Sequence, residues 1–151
     1  MSDLREYISQ VKKIKELKTI KTKVSTKYEI AGITAKVDQS HAVLFENIKE
    51  SDFRLVSNLV GTRNRFALAV GGTENNIHQK VISAIKNAKT PKIISTGKFM
   101  ENKSKNIHSM PIVTHFEKES GPFITSSVAY TKNPETGKQN SSFHRMMPID
   151  K

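Results

Sequence analysis

The chain has 151 residues, of which 36% are hydrophobic and none is cysteine. These values predict a folded globule of one domain, or of one domain and part of another, and they exclude disulfides, thiolate zinc sites and cysteine nucleophiles. The 25 Lys and Arg residues outnumber the 14 Asp and Glu residues, but the lysines are scattered and accompany no nucleic-acid-binding motif, so we expect most of this +11 charge to be solvated surface.

The N-terminal segment has neither the basic start nor the apolar stretch of a secretory signal peptide. No apolar run along the chain approaches the length of a membrane span. We therefore expect a soluble, cytoplasmic protein without a membrane partner.

The first part of the chain combines helical and strand periodicity. Apolar residues over 4–17 recur near the helical period, which predicts a first helix with Ser2 as its N-cap. Residues 19–24 alternate between lysine and apolar or hydroxyl side chains, as expected for a half-buried strand. A second helix is predicted over residues 27–37, with Thr26 as a candidate cap.

Short apolar runs follow in the middle of the chain. Residues 42–45 and 53–56 indicate buried strands. Residues 66–70 indicate a short helix or turn, which ends at Gly71 and Gly72.

A longer amphipathic helix is predicted to open at residues 73–76 and to carry one apolar face over 77–85. Pro91 should stop it, and residues 92–95 indicate another strand. Strands that alternate with helices predict a mixed α/β domain over residues 1–110.

The helical period is lost over residues 111–151. Residues 112–116 and 124–131 have strand patterns, and a turn at residues 134–137 leads into a further strand over 141–147. Two or three strands cannot close a barrel. This segment is therefore expected to begin an antiparallel β unit whose other strands come from elsewhere.

Two further groups of residues have ordinary interpretations. Residues 61–65 place backbone amides and two arginines before a helix, which suits an anion, but a plain loop is simpler because no Walker motif is present. Four of the five histidines lack partners at metal-binding spacing. Packing or surface exposure is therefore the simplest interpretation of His41, His78, His108 and His115.

A polar cluster over residues 140–145 carries the clearest candidate chemistry. Asn140 offers an amide oxygen that suits a hard cation, and Arg145 offers a planar guanidinium that suits a carboxylate or phosphate. The competing interpretation, which residue chemistry alone favours, is an ordinary polar strand packed through Phe143 and Met147. A regular strand would point Asn140 and Arg145 to opposite faces, unless a bulge intervenes or Asn140 still lies in the turn.

The cluster is the last of several short motifs that occur in a fixed order along the chain. They are Leu4–Ile8, Leu44–Lys49, Ser57–Arg63, Gly121–Thr125, Asn133–Gly137 and Asn140–Met146. Together they resemble the N-terminal portion of the UbiD-type decarboxylases. The motif sequences are most similar to those of the archaeal members, and the resemblance covers nearly the whole chain.

The resemblance implies an α+β fold, in which an N-terminal mixed α/β domain over 1–110 precedes the first strands of an incomplete flavin-binding split β-barrel over 111–151. It also implies a non-oxidative decarboxylase of unsaturated or aromatic acids that uses prenylated FMN and a divalent metal, manganese. On the matching positions, Asn140 would bind the metal. Phe143, His144 and Arg145 would line the flavin, and Arg145 would also be catalytic.

The same resemblance implies that the other metal ligands, the acidic catalytic residues and most of the barrel lie outside this chain. We therefore expect an N-terminal part or small subunit that lacks activity alone, belongs to an oligomer and needs a complementary chain or C-terminal domain to bind flavin and metal. Anhydromevalonate phosphate and aromatic acids such as polyprenyl-hydroxybenzoates are the implied substrates.

A second hypothesis is a non-catalytic, basic α/β module that engages nucleic acid or a partner subunit. Salt-dependent nucleic-acid binding by the isolated chain would favour this module. Flavin binding after addition of the missing part would favour the decarboxylase.

Overall fold

The computed structural model describes residues 3–90, 92–97 and 100–149. Its helices and strands are α1 (Leu4–Lys13), β1 (Leu17–Ile20), α2 (Glu29–Lys36), β2 (Ala42–Phe45), β3 (Leu55–Ser57), α3 (Arg63–Ala69), α4 (Ile77–Lys86), β4 (Ile124–Lys132) and β5 (Gln139–Met146). Together they make a mixed α/β architecture. No helix within the described ranges is long and apolar enough to cross a bilayer.

The strand β2 lies at the centre of a three-stranded mixed sheet. It pairs in parallel with β1, where Leu17 is opposite Ala42, and antiparallel with β3, where Val43 is opposite Ser57. Ala42 belongs to one buried cluster, whereas Val43 and Phe45 belong to another. Both faces of β2 are therefore covered, which explains its uninterrupted apolar sequence.

The larger cluster is the main core of the molecule. Its buried residues are Val24, Ile30, Val43, Phe45, Ile48 and Val113. Complete burial of an apolar side chain of this size contributes about 1.5–3 kcal/mol. Because Val113 is a member, the segment that leads into β4 is attached to the same core as the sheet.

The smaller cluster attaches α1 to the other face of the sheet through Tyr7, Val11 and Ala42. The Tyr7 hydroxyl lies 2.8 Å from the carbonyl oxygen of Arg65 and 3.0 Å from that of Leu59. Burial raises the pKa of Tyr7, so this phenol stays neutral and can donate a hydrogen bond to a carbonyl.

The cap of α1 is Asp3, whose carboxylate accepts a hydrogen bond of 2.8 Å from the Glu6 amide. An aspartate suits this position, because its side chain satisfies an amide that has no partner within the helix. The predicted cap, Ser2, lies outside the described residues.

The end of α1 differs from the prediction that residues 4–17 form one helix. Lys15 adopts a left-handed φ of 61°, the Glu16 amide donates to Val11, and the Lys15 amide donates to Lys12. This is the hydrogen-bond pattern of a Schellman motif, which satisfies the last carbonyls of the helix. Leu17 therefore continues the apolar period in sequence but lies in β1.

The second helix is confirmed, but Thr26 is wrong as its cap. Tyr28 holds the N-cap position with φ 69° and makes no side-chain capping bond. The Thr26 amide instead donates to the Glu50 carboxylate at 2.9 Å. Sequence pattern could not reveal this pairing, because it joins residues far apart in the chain.

The contact between Thr26 and Glu50 is part of a carboxylate clasp, formed by Ser25, Thr26, Glu29, Lys49 and Glu50. The Ser25 amide donates to Glu29 at 2.7 Å, and the Lys49 ammonium lies 2.9 Å from the same carboxylate. These contacts, the Ser25 hydrogen bond first, lower the pKa of Glu29. Partial burial opposes ionisation of Glu50, but hydrogen bonds from Ser25 and Thr26 outweigh it and lower the pKa.

The strand predicted over residues 19–24 begins and ends earlier than expected. Only Leu17–Ile20 pair with β2, while Val24 makes a single bridge to Ile48. The prediction for 53–56 is shifted in the opposite direction, since the strand there is Leu55–Ser57 and so begins and ends later than expected.

The helix α4 is confirmed and ends at Lys86, ahead of the predicted stop at Pro91, which lies outside the described residues. The strand predicted over residues 92–95 is wrong. Those residues have no strand structure, and Ile93 is 95% exposed. An apolar run becomes a strand only where a neighbouring strand accepts its hydrogen bonds, and the described ranges offer none here.

The strand predicted over residues 112–116 is also wrong. Val113 makes a single bridge to Phe123, and Thr114 makes one to Lys27. The segment therefore crosses between the core and the last two strands without forming a ladder.

The predicted hairpin is confirmed. The strands β4 and β5 pair antiparallel and form a two-stranded sheet, to which the described part of the chain adds no further strand.

Candidate functional site

A tight turn positions the residues of the candidate site. The Asn133 side-chain oxygen accepts hydrogen bonds from the amides of Glu135 and Thr136, at 2.9 and 2.8 Å. Gly137 has φ 68°, a left-handed conformation that glycine adopts without a steric penalty. The Asn133 amide donates to the Lys138 carbonyl, so the register of β5 is set at its first residues.

The register of β5 places Asn140 and Arg145 on opposite faces of the hairpin. Asn140 is within the strand, opposite Thr131, and β5 itself contains no irregularity. The bulge is on β4, where Thr125 and Ser126 oppose Arg145. Neither of the two arrangements that would bring Asn140 and Arg145 to one face is therefore present.

One face of the hairpin, the polar face, carries Asn140, Ser142 and His144. The Ser142 hydroxyl and His144 Nε2 are 2.8 Å apart. The Ser127 hydroxyl donates to the His144 carbonyl, which ties this part of β5 to β4. The Asn140 side chain is exposed and therefore accessible to a ligand.

The other face, the aromatic face, carries Val128, Tyr130, Phe143 and Arg145, since Val128 pairs directly with Phe143. Tyr130 is 72% exposed and Phe143 is 87% exposed. Apolar residues clustered on the more exposed side of a sheet indicate a surface that a ligand or partner covers.

Arg145 contacts the aromatic ring of Phe123, the residue that immediately precedes β4. Its guanidinium carbon lies over the Phe123 ring, 4.1 Å from the ring centroid. The sequence predicts the hairpin but not the register that pairs Ile124 with Met146, and this register is what brings Phe123 and Arg145 together.

The residues fit part of a metal or flavin site and no more. Among the described residues no three His, Asp or Glu side chains form a group that could hold a metal ion. Asn140 could offer one oxygen to a metal ion, but no such group of His, Asp or Glu stands beside it in the described part of this chain. For a flavin, Phe143 could offer an apolar ring, and His144 and Arg145 could offer donors, on an open hairpin.

The plain loop predicted over residues 61–65 is correct for 61–62 only, because α3 already begins at Arg63. Thr62 caps the helix by accepting a hydrogen bond from the Arg65 amide. The Arg65 side chain is fully buried and pairs with Glu16 at 2.9 Å. Only Arg63 of the two arginines remains exposed.

The described surface includes two depressions of similar volume. A groove of about 540 Å³ between α3 and α4 is lined mainly by apolar residues, including Val60, Phe66 and Val81. None of its lining residues belongs to β5. A second depression, of about 480 Å³, lies at the base of the hairpin between Pro122 and Met147.

The sequence matches two adjoining domains of one family. Residues 8–85 match the 3-octaprenyl-4-hydroxybenzoate carboxy-lyase N-terminal domain, and residues 88–151 match the Rift-related domain of the same enzymes. With the fold and the hairpin motifs described above, this chain belongs to the UbiD family of carboxy-lyases.

Among its relatives, anhydromevalonate phosphate decarboxylase of Methanothermobacter thermautotrophicus is 32% identical over 148 residues, which are 97% of this chain and 34% of that protein. One subunit of the 4-hydroxybenzoate decarboxylase of Chlamydia pneumoniae is 28% identical over 97% of this chain and 29% of its own length. The chain thus spans about a third of the length of the curated relatives it matches.

Solved structures have the same architecture. An evolved dimeric form of the UbiD-class enzyme HmfF from Pelotomaculum thermopropionicum, in complex with prFMN, matches with a TM-score of 0.89 and 27% identity, over 97% of this chain and 36% of that one. The closed form of vanillic acid decarboxylase from Sedimentibacter hydroxybenzoicus matches with a TM-score of 0.86 and 24% identity, over 99% of this chain and 36% of that one, which shows a shared fold.

Proposed function

We propose that this chain is the N-terminal part or small subunit of a prenylated-FMN-dependent, non-oxidative decarboxylase of unsaturated or aromatic carboxylic acids. The observation that carries the proposal is the two-faced hairpin, which presents Asn140 on the polar face and Phe143 with Arg145 on the aromatic face. A surface that combines an exposed ring with a guanidinium suits a planar cofactor and an acidic substrate.

In this proposal Arg145 is the catalytic residue of the chain. Its guanidinium can donate two parallel hydrogen bonds to a substrate carboxylate and so orient the bond that breaks. Phe143 and Arg145 would line the flavin from the aromatic face. His144, the third residue proposed to line it, lies on the polar face with Asn140, which would contribute one oxygen to a divalent metal, manganese. The flavin, when bound, supplies the reactive chemistry of decarboxylation.

The choice of a phosphorylated acid as the first substrate class rests on the archaeal relatives. Two of them are anhydromevalonate phosphate decarboxylases, and the Methanothermobacter enzyme is 32% identical to this chain. The net charge of +11 suits a phosphorylated acid. We therefore propose anhydromevalonate phosphate as the first substrate to test and aromatic acids as the second.

We propose that a complementary chain or a C-terminal domain of the same enzyme, within an oligomer, supplies the remaining two-thirds of the relatives' length. We propose that residues 1–110 form the α/β domain and that 111–151 begin a flavin-binding split β-barrel. The support is that β4 and β5 share no strand with the first sheet and leave aromatic residues exposed.

The test reconstitutes the enzyme from two polypeptides. This chain is mixed with a polypeptide from the same genome that matches the remaining two-thirds of the relatives, together with prenylated FMN and Mn²⁺. Flavin retained after desalting and CO₂ released from each acid are measured for the mixture and for each component alone. We expect the mixture to retain the flavin and to release CO₂, and we expect neither component to do so by itself.

Two variants assign the roles within that mixture. Arg145→Gln should reduce kcat/KM by about 100-fold or more, because a charge-assisted contact to the reacting carboxylate is lost. Arg63→Gln, which changes an exposed arginine on α3, is the matched control and should have no effect. Equal activity of the two variants, or full flavin retention and turnover by the isolated chain, would overturn the proposal.

A further inference from the structure

Arg145 has a long side chain with many rotamers, and it contacts Phe123, whose backbone is hydrogen-bonded to the core residue Val113. A guanidinium over an aromatic face is attracted by the ring quadrupole, and 4.1 Å to the centroid is well within the range of that attraction. The contact uses the π surface and consumes no N–H group. The donors of Arg145 therefore remain available for a carboxylate.

Phe123 is held from the core side. Its amide donates to the Val113 carbonyl at 3.1 Å, and Val113 is only 8% exposed within the main core cluster. The next residue, Thr114, exchanges hydrogen bonds with the backbone of Thr26 and Tyr28. The ring of Phe123 thus extends from backbone that is fixed to the α/β sheet.

Arg145, in contrast, lies on the exposed strand of the hairpin. It is opposite the β4 bulge at Thr125 and Ser126, where regular pairing is interrupted. A long, exposed arginine at such a position keeps much of its rotamer freedom unless something restrains the guanidinium. In the described part of the chain, Phe123 is the aromatic residue that provides this restraint.

We propose that Phe123 is a positioning residue for Arg145. Its ring holds the guanidinium in place before the substrate binds, so less side-chain freedom is lost when the carboxylate is engaged. This inference rests on the proposed function in one respect, namely that Arg145 contacts the substrate. The contact itself belongs to the isolated chain and can be tested there.

The first experiment is NMR spectroscopy of the full chain. The side-chain protons of Arg145 should be shifted upfield by the ring current of Phe123. Phe123→Leu should return these signals to the values of an unrestrained arginine, whereas Phe123→Tyr should preserve the upfield shift. Phe116→Leu, which removes another phenylalanine of the segment before β4, 73% exposed, is the matched control and should leave the Arg145 signals unchanged.

The second experiment uses the reconstituted enzyme. Phe123→Leu should reduce kcat/KM by about 2- to 5-fold, the factor that corresponds to an exposed cation–π contact, and Phe123→Tyr should restore it. A side chain with only a packing role would not require an aromatic replacement, so Phe123→Met is included as an apolar variant of similar volume. Activity of Phe123→Met equal to wild type would overturn the positioning role.

The two proposals can fail separately. If Arg145→Gln abolishes turnover while Phe123→Leu changes neither the NMR signals nor kcat/KM, Phe123 has no positioning role and the proposed function stands. If the Arg145 signals respond to Phe123 but Arg145→Gln leaves turnover intact, the contact exists and the catalytic role of Arg145 is wrong.

Discussion

Arg65 is the largest fully buried side chain of the described chain, and its charge is neutralised by one carboxylate. Its Nη1 donates to Glu16 at 2.9 Å and to the Ser40 carbonyl at 3.0 Å. Glu16 also accepts a hydrogen bond from Asn64. The Nε and Nη2 atoms of Arg65 are buried without a partner among the described residues, which makes the Glu16 contact especially important.

Glu16→Gln should destabilise the chain by about 3 kcal/mol. The substitution keeps the shape of the side chain but leaves the Arg65 charge buried without a counter-ion, and the lower end of the usual range applies because Glu16 is partly exposed. The measurement is urea unfolding followed by circular dichroism. Glu117→Gln, at an exposed position, is the control, and equal midpoints for both variants would contradict the importance of this pair.

The carboxylate clasp connects the start of α2 to the turn after β2. Both of its glutamates have a pKa below the ordinary value of 4.5 in the folded chain. The unfolded chain therefore binds protons more readily than the folded chain in this range. The stabilising contribution of the clasp is complete above pH 4.5 and is lost as the pH falls through the lowered pKa values.

We expect the free energy of unfolding to fall as the pH decreases below 4.5, and Glu50→Gln to reduce this dependence. At pH 7, Glu50→Gln should reduce the free energy of unfolding by less than about 1 kcal/mol, because the clasp is largely exposed to solvent. Denaturant unfolding of both proteins between pH 3 and pH 7 measures the effect. Parallel pH profiles for the variant and the wild type would show that Glu50 does not contribute.

The hairpin turn depends on two positions that the sequence marks clearly. Asn133→Ala removes two hydrogen bonds to turn amides, and Gly137→Ala imposes a side chain on a φ of 68°. Each change should cost the hairpin about 1 kcal/mol. Amide exchange in β4 and β5 should accelerate about 5-fold, whereas exchange in β2 and in the control Asn102→Ala should not change. Unaltered exchange in the hairpin would contradict this account of the turn.

At the scale of the whole molecule, α4 and the aromatic face of the hairpin are among the places where the described chain exposes apolar residues. Ile85 is 72% exposed and Phe143 is 87% exposed. If the complementary polypeptide extends the hairpin, the β5 amides that point away from β4 should exchange about 10-fold more slowly in the mixture, as new strand hydrogen bonds form. Amides of β2 serve as the internal reference. No added protection in β5 would exclude strand pairing as the mode of assembly.

The lysines behind the net charge of +11 are scattered along the whole sequence. We expect the isolated chain to bind nucleic acid weakly and to lose at least 10-fold in affinity between about 50 and 200 mM salt. Fluorescence anisotropy with a labelled oligonucleotide measures this. Tight binding that persists at 200 mM salt would favour the nucleic-acid-binding module over the decarboxylase part.

Periodicity was sufficient for the elements that have strong local signals. The uninterrupted apolar run of β2 predicted a buried strand, the helical spacing predicted α1, α2 and α4, and the Asn-Pro-Glu-Thr-Gly turn predicted the hairpin. Local sequence could not predict that residues 92–95 lack a strand, because pairing depends on a neighbour that another part of the chain must provide.

The candidate site divides in the same way. Residue chemistry and family motifs were enough to select Asn140, Phe143, His144 and Arg145 from the sequence, since amide, aromatic and guanidinium groups carry their chemistry with them. Their distribution over two faces required the strand register, which places the bulge on β4 rather than on β5. The contact of Arg145 with Phe123 depends on the register that pairs Ile124 with Met146 at the open end of the hairpin. The burial of Arg65 against Glu16 depends on segments distant in sequence that meet only when the core has formed.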